Sequence, residues 1–185
     1  MNFNKHSKLA GKHAFLSASK YQWLRYDEEK VQQLYSNFLA TSRGTELHDF
    51  AAKCINLKQQ LPDIPRTLNM YVNDCIANGM TPEVTLYYSD NCFGTADAIV
   101  FDGFHLTIHD LKTGKHEACM DQLYIYAALF CLEYDVKPVD IDITCRIYQS
   151  DDVRTAKPTV SDIVPIIDKI ISFDQLIQRI NIEEG

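Results

Sequence analysis

The chain has 185 residues, a length that fits one domain with a buried core. Its hydrophobic share of 46% and charged share of 23% are those of a globular chain, and no apolar run approaches the ~20 residues that span a bilayer. A net charge of −7 argues against a passive coat on nucleic acid, which is normally basic, but not against an acidic protein that meets nucleic acid through bound cations.

Ser19-Lys20-Tyr21-Gln22 has the form of a capping box and predicts a short helix over 20–26. A second helix is predicted over 29–40, with Arg43-Gly44-Thr45 as its break. Thr45 then caps a third helix, which has Glu46 in its first turn and Leu47, Phe50, Ala51, Cys54 and Leu57 on its apolar face. His48 stands beside that stripe. Pro62 and Pro65 end this helix, and another is predicted over 66–78, closed by Gly79.

The hydrophobic period then changes. Val84, Leu86 and Tyr88 alternate with Glu83, Thr85 and Tyr87, as in a strand. Two more strands, 95–101 and 105–112, flank Asp102-Gly103, a hairpin signal. In the second of these Leu106, Ile108, Asp110 and Lys112 share one face, and His109 takes the other. A helix predicted over 117–134 puts Gln122 and Tyr126 on one side. Val139, Ile141, Ile143, Cys145 and Ile147 alternate as a fourth strand. The last helix, capped by Ser161 and with Pro165 in its first turn, repeats Ile163, Ile166, Ile167, Ile170, Ile177 and Ile180 at helical spacing. This order of elements predicts an α/β fold around a mixed sheet flanked by helices.

The opening MNFNKHSKLAGKHAF lacks the apolar core of a signal peptide, so a cytoplasmic location is the expectation. Cys54, Cys75, Cys92, Cys119, Cys131 and Cys145 form no Cys-x-x-Cys pair, so there is no zinc-ribbon spacing and buried free thiols are expected.

The chemistry concentrates at the hairpin. Asp97, in Gly94-Thr95-Ala96-Asp97, and Asp110, in Asp110-Leu111-Lys112, fall on adjacent strands. Hard divalent cations prefer oxygen ligands, which the two aspartates and the Leu111 carbonyl can supply. A lysine beside such a cation can orient a water and stabilise charge developing on phosphorus. Asp97, Asp110 and Lys112 are therefore candidate catalytic residues for phosphodiester hydrolysis.

With these motifs the chain resembles the PD-(D/E)XK nuclease superfamily, in its RecB-like and Cas4-like exonuclease branch. The matching elements are Gly44-Thr45-Glu46-Leu47-His48, Gly94-Thr95-Ala96-Asp97, Asp110-Leu111-Lys112-Thr113-Gly114 and Gln122-Leu123-Tyr124-Ile125-Tyr126. The segment from Gly11 to Ser19 is similar to the opening of small phage-encoded members. The resemblance implies a restriction-endonuclease-like core over 44–149, preceded by a helical part over 1–43 and followed by a C-terminal helix over 150–185, all within one domain. It implies that His48, Asp97, Asp110 and the Leu111 carbonyl bind Mg²⁺ or Mn²⁺, that Lys112 is the catalytic lysine, and that Gln122 and Tyr126 contact DNA or position Lys112. Glu83 and Glu46 are left open as further members of the site. Lys115 and His116 are candidate phosphate contacts.

The departures narrow the expectation. Many members of the branch hold an iron–sulfur cluster through one cysteine before the histidine motif and three near the C-terminus. Here no cysteine precedes His48 and none follows Cys145, so no cluster is expected. No nucleotide-binding Gly-x-x-x-x-Gly-Lys-Ser/Thr motif occurs, so no motor is built in. The implied activity is a metal-dependent DNA exonuclease of recombination or repair in a bacterial or phage-infected cell. A recombinase, a single-strand-binding protein or another protein is a candidate partner, oligomers are compatible, and no membrane is involved. The alternative is a nuclease-fold adaptor that binds a protein or DNA without cutting.

Overall fold

The computed structural model describes residues 14–114 and 116–184. Gly11, Lys12 and His13 of the N-terminal resemblance, and Lys115, lie outside the described residues. Contacts divide the chain into two units, Met1–Thr45 and Glu46–Gly185. No helix among the described residues is long and apolar enough to cross a membrane.

In the first unit the predicted short helix is a 3₁₀ helix, Ala18–Arg25. Ser19 lies inside it rather than at its cap. Phe15, Tyr35 and Phe38 form a ring cluster, with centroids 5.0–6.0 Å apart. Helix α1 (Glu28–Asn56) starts with Asp27 accepting the Lys30 N–H at 2.8 Å. It does not break at Gly44. One glycine costs a helix about 1 kcal/mol, too little to end a long one. Thr41, Ser42 and Thr45 turn their hydroxyls back onto the carbonyls of Asn37, Phe38 and Thr41, so Thr45 is a mid-helix residue and not a cap.

In the second unit, Ala51, Cys54 and Ile55 form the buried stripe of α1, while Phe50 and Leu57 are exposed, against the predicted face. Helix α2 (Thr67–Ala77) follows as expected, and Gly79 takes the left-handed conformation, at φ +63°, after its end. Strands β1 (Thr81–Ser89), β2 (Cys92–Phe101) and β3 (His105–Leu111) run antiparallel in succession. Helix α3 (Asp121–Glu133) provides the crossover to β4 (Asp142–Gln149), which lies parallel to β3. β4 begins later than predicted, because Val139 falls in a 3₁₀ turn, Pro138–Asp140, and is exposed.

A fifth strand, β5 (Asp152–Ala156), was not predicted and replaces the start of the expected C-terminal helical segment. It pairs antiparallel with β4 through a turn in which Ser150 and Asp151 both have positive φ. Helix α4 (Val160–Glu184) is held at its start by Asp162, which accepts the Thr159 N–H at 2.7 Å and its hydroxyl at 2.8 Å. The start therefore lies before Ser161, and Pro165 falls inside the helix rather than in its first turn.

The sheet order is β1-β2-β3-β4-β5, with helices on both faces. One face packs Ile99, Leu106, Ile108 and Cys145 against α3 and the first half of α4. The other packs Ala98, Leu111 and Tyr148 against α1 and α2. The protein is thus α/β around a mixed sheet, as its hydrophobic periods predict.

Candidate metal centre

The site forms where α1, β1, β2, β3 and α3 converge. The last paired rung of β2 and β3 is Ala98↔His109, so Asp97 and Asp110 stand just beyond it on neighbouring strands. Asp97 Oδ2 accepts the Leu111 N–H at 2.8 Å, and Oδ1 lies 3.3 Å from His48 Nδ1. Leu111 thus orients Asp97 through its amide. The hydrogen bond to Asp97 raises the His48 pKa above its ordinary value, and burial opposes the rise.

Glu83 completes a cluster with these two residues. One ligand atom each from His48, Glu83 and Asp97 lies within 4.8 Å of the others. Glu83 sits opposite Asp97, between the pairs Pro82↔Ala98 and Val84↔Ala96, and has a φ of +53°, unusual for a side chain with a Cβ. The strand alternation also breaks here. Ala96 packs in the α3-side core and Ala98 in the α1 and α2 side, although two residues apart should share a face. Burial and the Asp97 charge raise the Glu83 pKa, as crowded carboxylates require. One imidazole and two carboxylates suit a divalent cation, with the nitrogen favouring manganese over magnesium.

Asp110 stands beside this trio. It is 1% exposed, and burial, then the Asp97 charge, push its carboxyl up to about 6 against the opposing pull of Lys112. Lys112 Nζ donates to Asp110 Oδ1 at 3.0 Å and lies 2.9 Å from Oδ2. The second contact is an ion pair without hydrogen-bond alignment, so Oδ2 is a buried oxygen that keeps a lone pair to offer. Lys112 also donates to Gln122 Oε1 at 2.8 Å, and Gln122 Nε2 donates to Tyr126 Oη at 2.9 Å. The two α3 residues form a relay that fixes the ammonium.

Gly94 has a steric reason to be glycine, since a Cβ there would stand 3.0 Å from Tyr126 Cε1. His109 faces away from Asp110, as its alternation predicts. It is fully buried near Cys75 Sγ (3.6 Å) and Tyr148 Oη (3.3 Å), and burial lowers its pKa to about 3.

His48, Glu83 and Asp97 form the ligand cluster, while Asp110, Lys112, Gln122 and Tyr126 make a hydrogen-bonded chain beside it; Asp110 is outside that cluster, and Leu111 reaches Asp97 through its amide rather than its carbonyl. Glu83 is the addition, and Glu46 is exposed outside the cluster. The sequence signal for Glu83 was its place on the strand before Asp97, which lacked only the register. No family model matches the chain, and comparison with curated proteins and with solved structures gives no match.

Proposed function

We propose that this chain is a divalent-metal-dependent deoxyribonuclease with a restriction-endonuclease-like core, acting as an exonuclease in recombination or repair. The observation that carries this reading is the convergence of a His48–Glu83–Asp97 cluster with the ion pair of Lys112 and buried Asp110, drawn from α1, β1, β2 and the end of β3. An exposed Asp-x-Lys ion pair would be ordinary. A carboxylate buried beside a second carboxylate, with a lysine clamped by a helix glutamine, is costly to build for stability alone.

His48, Glu83 and Asp97 would hold Mg²⁺ or Mn²⁺, with the Asp110 carboxylate beside them. The bound cation would polarise the phosphoryl oxygen and acidify a water. Lys112 places positive charge where charge develops on the phosphoryl oxygens, and Asp110 with Gln122 keeps it there before substrate arrives. Tyr126 holds Gln122 from the far side. A proton on His48 competes with the cation, so metal affinity rises as pH rises through the raised His48 pKa. The acidic chain, at −7, relies on cations to receive a polyanion.

End-labelled single- and double-stranded DNA, incubated with Mn²⁺ and separately with EDTA, tests the proposal. Metal-dependent shortening from an end supports an exonuclease. Internal cuts support an endonuclease. Intact DNA under both conditions favours the adaptor reading.

A further inference from the structure

A cavity of about 290 Å³ opens beside Lys112. Three leucines, Leu47, Leu68 and Leu111, line it together with Thr67, Lys112, Thr113, Gly114 and Ser150. Lys112 belongs to both the cavity and the candidate centre, and Leu111, whose amide bonds Asp97, also lines the cavity.

Both walls are pinned. Buried Gln149 donates through Nε2 to the carbonyls of Gly114 and His116, both at 2.7 Å, and accepts the Ala118 N–H at 3.1 Å. These bonds hold the chain that leaves Lys112. Across the cavity, Asp151 accepts the Thr67 N–H at 2.9 Å and Arg66 Nη1 at 2.7 Å, and its own N–H donates to Thr67 Oγ1 at 2.7 Å. The start of α2 is thereby tied to the turn that carries Ser150. The cavity is preformed, which lowers the entropy lost on binding.

We propose that this cavity is a nucleoside subsite: it takes the base and sugar of one nucleotide of the substrate strand, with that nucleotide's phosphate at Lys112. The inference rests on the nuclease reading above. The accessible Leu47 and Leu68 side chains offer apolar contact to the flat face of a base, and the Lys112 ammonium attracts the phosphate. The Thr113 and Ser150 hydroxyls have no protein partner among the described residues and can bond the polar edge of a base or sugar. The volume lies at the small end of ligand cavities (~300–1,000 Å³), which admits one nucleoside and not two.

The test uses the full chain with Mn²⁺ and two probes, deoxythymidine 5′-monophosphate and deoxyribose 5-phosphate, by calorimetry. The nucleotide should bind about tenfold tighter than the sugar phosphate, since the base adds apolar contact. It should also inhibit oligonucleotide cleavage competitively. Leu68→Trp, which fills the cavity, should erase the nucleotide's advantage and leave Mn²⁺ affinity unchanged. Equal binding of the two probes to the native chain overturns the subsite, and that comparison needs no variant. Nucleotide binding that does not compete with cleavage overturns it as well. Failure of the native chain to bind Mn²⁺ would instead refute the nuclease reading, so the two failures are distinguishable.

Discussion

Asp110→Asn should make the metal-free protein more stable. Asp110 is 1% exposed, and burial and Asp97 push its carboxyl from 3.8 up to about 6. Every tenfold change in proton affinity corresponds to about 1.4 kcal/mol, so carrying the ionised carboxylate near pH 7 costs the native state on the order of 3 kcal/mol. The sign follows from linkage. The raised native pKa means that the native state holds its proton more tightly than the unfolded chain. The group imposes no penalty below its unfolded pKa, and stability is lost as pH rises from about 4 through about 6. Asparagine is neutral and nearly isosteric, so it mimics the protonated form at every pH. Urea denaturation followed by circular dichroism, in EDTA near pH 7, should show the variant more stable by on the order of 2–3 kcal/mol. The gap should close as the pH approaches 4. Mn²⁺ should stabilise the native chain far more than the variant, since binding to the folded state adds stability by mass action. A variant less stable than the native chain in EDTA, or a gap independent of pH, would refute the account of Asp110 as a strained, metal-ready carboxylate.

Three further outcomes are expected. Lys112→Ala should lower cleavage about 100- to 1,000-fold, the scale of losing one preorganised charge donor, while calorimetry shows Mn²⁺ still bound; unchanged cutting would remove Lys112 from the chemistry. Glu83→Gly should raise metal-free stability by about 1 kcal/mol, because glycine relaxes the φ of +53°, and should weaken Mn²⁺ binding; a variant with full metal affinity would return Glu83 to a backbone role. Gly94→Ala should push the Tyr126 ring from its place, since the added Cβ meets Cε1 at 3.0 Å, and so loosen Gln122 from Lys112. Its cleavage rate should fall with Mn²⁺ affinity intact, and loss of both together would point to a wider disruption of the sheet.

Much of the candidate site was legible because its residues sit on regular elements. Asp110 and Lys112 share a face by alternation, and the structure brings Lys112 Nζ onto Asp110. Gln122 and Tyr126 are four apart on a helix, and they meet. His109 was set aside by the same alternation and lies on the opposite side, against Cys75 and Tyr148. Where local rules compete with context, legibility failed. Gly44 reads as a helix break, but back-bonded hydroxyls carry α1 through it. Asp152–Ala156 shows no apolar alternation, with Val153 and Ala156 its only apolar side chains, and its pairing with β4 makes it a strand.

The amino-acid sequence by itself determined the α/β class, through its change from helical to strand periodicity, and it determined which carboxylates could neighbour Lys112. The tertiary structure alone decided that Glu83 joins them. The β1–β2 hairpin turns at Asp90-Asn91 with Ser89 paired to Cys92, which without a shift would set Val84 opposite Asp97. A register shift between Tyr87 and Ser89 moves every later pair by one, and Glu83 takes that position instead. A one-residue slip exchanges the faces of a strand, and only the packed sheet, with β1 and β2 held against α3 and Asp174 of α4 bonded to Ser89 and Asn91, selects the slip.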